Sequence, residues 1–424
     1  MTIYIALMAG AVFFGSNLFS IPMAGGHLSP YRALVLGAVL LAFFHMITNR
    51  KQLAWRAGLE ANKLYFGFVA FFSLSLLSFL WVANRKAWFK SNVILLIALM
   101  AMTAIFFYIN RYQDWKRVMD FIWICLVILL LLGLVEDITG HYFQGDEAFT
   151  TLWGDRATQE KRVAFVSFSN GNDYAVLLSG FLCLSLARLF RPRGPASSLF
   201  TYAMMALALY LIYRSDSRLA LISSGIVLVL ALLLRFRWDL HFHWSPPWLL
   251  GLGFFGMIGY AAYPALENWV YIMMTPGVLS YISSEQIRFG LMQNGFLFLG
   301  KTMGLGVGTG NVEPWMALYR YFETDGKTNL HNWWGELLIA NGVLGFMIYV
   351  GTYLLMSICL VRRRRLEKYR ADANALLLFM INWVLVSSVS ASNMLIEWHW
   401  VVFALIISFI KVTELEEWEE RKRV

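Results

Sequence analysis

The residues best suited to chemistry are a histidine set just before an apolar run and arginines expected on the same side of the membrane. His331 opens the string His-Asn-Trp-Trp-Gly-Glu, with Trp333 and Trp334 typical of a membrane–water boundary. An imidazole with an ordinary pKa near ~6.5 suits a proton acceptor at neutral pH. The same position also reads as an interfacial histidine in a tryptophan belt. Glu336, about one turn further on, is a rival acceptor or a residue that orients His331. His399, next to Glu397 at the start of the last apolar run, is a candidate to line the same cavity.

Arg218 closes the turn Tyr-Arg-Ser-Asp-Ser-Arg between two apolar runs, and Arg288 lies in a more polar stretch. A guanidinium at such a place either snorkels to the headgroups or offers a planar fork to a phosphodiester or diphosphate. Asp216 is the local ion-pair alternative for Arg218, and Arg214 is a rival phosphate ligand four residues earlier. In Ser169-Asn-Gly-Asn-Asp173, Asn172 or Asp173 is expected to cap the next helix. The run Gly304-Leu-Gly-Val-Gly-Thr-Gly310 lacks the Gly-Lys-Ser/Thr ending of a nucleotide-binding loop, so it reads as a tightly packed turn. His241 and His243 have no acidic or cysteine partners, and no cluster has metal-ligand spacing.

The elements that must position these residues are membrane spans. Of 424 residues, 59% are hydrophobic and 14% charged, against about 25% charged in soluble domains. Continuous apolar runs of roughly 20 residues recur to the end of the chain, so the fold class is an all-α polytopic membrane protein, not a β-barrel. Twelve spans are expected, at 4–22, 31–48, 64–83, 92–110, 118–135, 173–190, 199–213, 219–235, 248–264, 334–361, 373–391 and 399–412. They form a single membrane domain over 1–424, and the first is read as a retained helix because no basic segment precedes it.

Arg50, Lys51, Arg111, Lys116, Arg191, Arg235 and the run Arg362–Arg365 follow alternate spans, placing those loops and both termini in the cytoplasm. The net charge of +9 is read in the same way and not as a nucleic-acid footprint. Arg85, Lys86 and Lys90 break the trend. The 265–333 segment becomes one large extracytoplasmic loop, expected to carry amphipathic helices across the mouth of the bundle. Cys125, Cys183 and Cys359 fall inside spans and read as small buried hydrophobes.

Taken in order, these pieces resemble the O-antigen ligase and polymerase family of bacterial membrane glycosyltransferases. The matching segments are Asn170-Gly-Asn-Asp-Tyr-Ala175, Ser215-Asp-Ser-Arg218, Arg288-Phe-Gly-Leu-Met-Gln-Asn-Gly295 before the glycine run and Asn311, and His331-Asn332 followed by Gly342 and Gly345. The resemblance covers roughly residues 165–350. It implies transfer of a glycan from undecaprenyl diphosphate to a hydroxyl at the periplasmic face of the inner membrane, with inversion and with no metal, nucleotide or other cofactor. His331 would be the catalytic base, Arg218 and Arg288 (or Arg214) the diphosphate ligands, and Asn332, Glu336, Asn172 and His399 possible supporting residues. Ligation to lipid A–core is the first expectation. Polymerisation of O-antigen or another polysaccharide, and O-linked transfer to a protein hydroxyl, share the donor. A flippase or other transporter is the non-enzymatic alternative, but neither internal repeats nor mid-membrane charges are evident.

Overall fold

The structure, a computed structural model, describes residues 1–23, 26–49, 58–144, 163–191, 194–235, 284–388 and 396–423. Within them the chain is an all-α membrane protein with one short β-hairpin. It runs α1 (Thr2–Ala11), α2 (Gly15–Leu18), β1 (Ile21–Met23), β2 (Gly26–Leu28), α3 (Pro30–Asn49), α4 (Glu60–Leu77), α5 (Arg85–Tyr108), α6 (Tyr112–Thr139), α7 (Gly171–Phe190), α8 (Pro195–Arg214) and α9 (Arg218–Arg235). After these come α10 (Ser284–Lys301), α11 (Val312–Leu318), α12 (Trp333–Arg363), α13 (Arg370–Val386) and α14 (Trp398–Arg423).

Seven of the described helices are long and apolar enough to cross a membrane, and Thr2–Leu18, Pro30–Ala42 and Arg218–Leu234 are shorter apolar helices. The expected span at 248–264 and the first part of the 265–333 loop lie outside the described residues. The expected first span, 4–22, is corrected: helical backbone continues from α1 through a 3-10 turn over Val12–Phe14, breaks at Gly15 (φ 63°, ψ −176°), and gives way after α2 to the hairpin. Apolar residues continue past the break, so hydropathy alone could not see it.

α14 is the central post. Of its apolar window, 89% is buried, against 28% for α8 at the periphery. Trp115 on α6 donates its indole N–H to the carbonyl of Leu405, and Phe68 on α4 stacks on Phe403. Cys125, Cys183 and Cys359 are buried and free, as the sequence implies.

The glycine run is a clamp between helices. α12 breaks at Gly342 (φ 69°, ψ −177°), which frees carbonyls just before it. Val307 and Gly308 donate their amides to the carbonyls of Ile339 and Ala340, both at 2.9 Å, and Val343 donates back to Gly304. Asn341, at the break, accepts from Ser75 on α4 and Thr309 in the run, at 2.8 and 2.9 Å. Amides committed in this way are not available to a phosphate. Gly306 (φ 80°) has no room for a side chain: a Cβ would stand 2.7 Å from the Ala340 carbonyl. Gly306→Val is therefore expected to cost at least about 2 kcal/mol from left-handed strain and overpacking together. A lowered melting temperature in detergent is the measurement.

Asn84 donates its amide to Asn311 at 2.7 Å, so the α4–α5 hairpin lies at the same end of the bundle as the glycine run. Arg85, Lys86 and Lys90 thus stand towards the same end of the bundle as His331.

Candidate functional site

His331 sits at the top of α12, and its position is fixed by neighbouring backbone. Asn332 is the N-cap, accepting the Gly335 amide at 3.0 Å. The Trp333 amide donates to Ser387 at the end of α13, 2.9 Å away. His331 itself has a left-handed backbone (φ 49°), and its amide donates to the Asn329 side chain at 2.9 Å. Asn329 in turn donates to Glu313 at 2.8 Å. Asn332 thus has a structural role, and Glu336 lies half-buried in the first turn of α12.

The imidazole is half-buried and has no hydrogen-bond partner among the described residues. Burial holds its pKa below the usual histidine value, helped by the positive charges of Arg288 and Lys327 and opposed by Glu313. A neutral ring at neutral pH can accept a proton. Arg288 is exposed near the start of α10 and close enough to act on His331 electrostatically.

α10 is held against this end by Asn294, which is fully buried. Its side chain donates to the Phe322 carbonyl and accepts the amides of Tyr321 and Phe322, at 2.7–3.0 Å. The expected amphipathic character is corrected. Leu291, Asn294 and Phe298 are buried, but Phe289, Phe296 and Leu297 on other faces are exposed and apolar.

Arg218 is the first residue of α9, where the helix dipole adds to its charge. It is exposed and has no ion-pair partner among the described residues. Its height can be read from a buried chain of bonds: Ser223 donates to Asn382 on α13, and Asn382 donates to Ser179 on α7. Arg218 lies five residues above Ser223, and Ser387 five above Asn382, or about 7.5 Å each at 1.5 Å per residue. Arg218 and the His331 turn therefore stand at the same end and at comparable height. Arg214 is different. It forms an ion pair with the buried Asp137 at 2.9 Å, and Asp137 also accepts from Tyr210 at 2.8 Å.

Two supporting assignments are corrected. Asn172 does not cap α7 and is exposed. The cap is Asn170, whose Oδ1 accepts the Asp173 amide at 2.9 Å while its Nδ2 donates to the Asp173 carboxylate at 2.7 Å. His399 does not line the cavity beside the His331 turn. It is fully buried, stacked on Trp383 with centroids 4.7 Å apart and walled by Trp333, Trp400 and Phe403.

Sequence reasoning missed Glu313 and Asn329, which set the charge and backbone of His331. The only signal was their place in the polar stretch before it.

No family model matches the chain. It is similar to the teichuronic acid biosynthesis protein TuaE of Bacillus subtilis (strain 168), with 26% identity over 431 residues, covering 96% of this chain and 84% of that protein.

Proposed function

We propose that the protein is a membrane glycosyltransferase that moves a glycan from an undecaprenyl-diphosphate carrier to a hydroxyl acceptor at the extracytoplasmic face. The observation that carries this reading is a neutral-tending imidazole at the same end of the bundle as Arg218 and Arg288, two arginines with no ion-pair partner among the described residues. His331 takes the acceptor proton as the hydroxyl oxygen attacks the anomeric carbon. The bond from that carbon to the diphosphate oxygen breaks, and the arginines hold the charge that develops there. Attack opposite the leaving group inverts the anomeric centre. The run Arg362–Arg365 straddles the far end of α12, which supports an inner-membrane orientation with the His331 end outside and both termini in the cytoplasm.

The acceptor divides two readings. Ligation to lipid A–core fits the resemblance of the motifs. Polymerisation is favoured by the similarity to a protein named for synthesis of teichuronic acid, itself a glycan polymer. Purified protein incubated with lipid-linked repeat units separates them: longer lipid-linked chains mark a polymerase, and glycan appearing on added lipid A–core marks a ligase.

The pH dependence has a defined sign. The base must be neutral, and its pKa is lowered, so activity persists below the usual ~6.5 and is lost as pH falls through the shifted value. Lys327→Gln removes a positive neighbour and is expected to move the acid limb of kcat/KM up. Glu313→Gln removes a negative one and moves it down. Identical limbs in both variants would exclude His331 as the titrating group.

A further inference from the structure

Beside the His331 turn lies a cavity of about 330 Å³ that the transfer chemistry above does not use. That volume is at the lower end of small-ligand pockets, roughly 300–1,000 Å³. Its wall includes Arg32 at the start of α3, Asp173 on α7, Glu313 and Asn329 of the segment before α12, and Glu397 and Trp398 at the start of α14. Glu397 is nine-tenths buried, and one of its oxygens accepts from Arg32 Nε at 2.8 Å. Its other oxygen has no recorded partner among the described residues. Arg32 is further tied to the His27 carbonyl at 2.7 Å.

The place of the cavity is telling. On one side Glu313 and Asn329 connect it directly to the backbone of His331. On the other, α7 begins at Gly171, where a Cβ would stand 3.9 Å from that of Ser215 in the turn leading to Arg218. The cavity therefore lies between the turn that carries the base and the turn that carries the arginine.

Its charge excludes the diphosphate. Three carboxylates (Asp173, Glu313, Glu397) face one guanidinium that is already paired. Carboxylates and an amide in a partly apolar recess suit a ligand with several hydroxyl donors and little charge of its own. Resting on the glycosyltransferase reading, we propose that this cavity is the acceptor subsite. It holds an uncharged, hydroxyl-rich sugar ring, with the attacking hydroxyl turned towards His331. The free oxygen of Glu397 accepts from ring hydroxyls, and Arg32 fixes that carboxylate in place.

Calorimetric binding of free disaccharides to the purified full chain tests the proposal without requiring turnover. Disaccharides of hexoses and N-acetylhexosamines, and their uronic-acid counterparts, are the probes. Neutral disaccharides are expected to bind the wild-type protein, and uronic-acid ones more weakly. Glu397→Gln should weaken binding about tenfold. Ser16→Trp fills the cavity while leaving the ion pair intact, so it should do the same even where Glu397→Gln disturbs folding. Absence of binding, binding unchanged in both variants, or preference for the uronic acids would overturn the assignment. Saccharide binding as expected with no glycan transfer under any condition would instead remove the enzymatic reading and leave the subsite standing.

Discussion

His331→Ala is expected to lower the transfer rate by a factor on the order of 10²–10⁴, the usual contribution of a positioned general base. Binding of the lipid-linked donor should be retained, because in the proposed mechanism the arginines and not the imidazole meet the diphosphate. The fall belongs in kcat, since the proton moves only in the transition state. The structure makes this a clean substitution: the His331 ring makes no hydrogen bond to a described residue, and the contact that holds the turn is made by its backbone amide. Its left-handed backbone adds a small strain to any replacement, so His331→Asn, which tolerates that conformation, is the companion variant. Full turnover in either variant would shift the base role to Glu336, half-buried one turn into α12.

The second large effect is expected at Arg218. Removing one preorganised donor to a developing negative charge typically costs about 10²–10³ in rate, and Arg218→Ala should fall in that range, with Arg218→Lys recovering part of it. Arg214→Ala should behave differently. Its guanidinium already serves the buried Asp137, shared with Tyr210, so its loss leaves a buried carboxylate half-satisfied. A lower melting temperature, more than a lower turnover, is the expected signature. If Arg218→Ala retains full transfer while Arg214→Ala loses it, the assignment of the two arginines is reversed.

Much of the bundle was legible because a helix buried in lipid must be apolar along its whole length. Hence 173–190 and 334–361 fall within α7 and α12 almost residue for residue. The break at Gly15 was not legible from hydropathy, because Phe13, Phe14 and Leu18 on either side of it remain apolar. The cap of α7 was misplaced by two or three residues, at Asn172 or Asp173 in place of Asn170. In Ser-Asn-Gly-Asn-Asp several side chains are chemically able to cap, and the choice depends on where the chain leaves the preceding turn. His399 misled for a related reason: a histidine beside a charged residue at a span end resembles a site, and only packing reveals the tryptophans that enclose it.

The residues around His331 show the same boundary between what is local and what is not. Its place before a span was local information and could be read directly. The influence of Glu313 and Lys327, and the pairing of Arg32 with Glu397, depend on how distant segments fold together. No periodicity records a contact between residues 365 positions apart. The glycine run was read correctly as a packed turn, but its purpose depends on the break at Gly342, which gives it carbonyls to bind.

In the proposed reaction, this end of the bundle breaks a sugar–diphosphate bond. The most direct measurement follows purified protein in sealed vesicles supplied with undecaprenyl-diphosphate-linked glycan and a hydroxyl acceptor, counting both products. One undecaprenyl diphosphate is expected to be released for each new glycosidic bond, and neither product with His331→Ala. Movement of intact lipid-linked glycan between leaflets with no bond broken would contradict it.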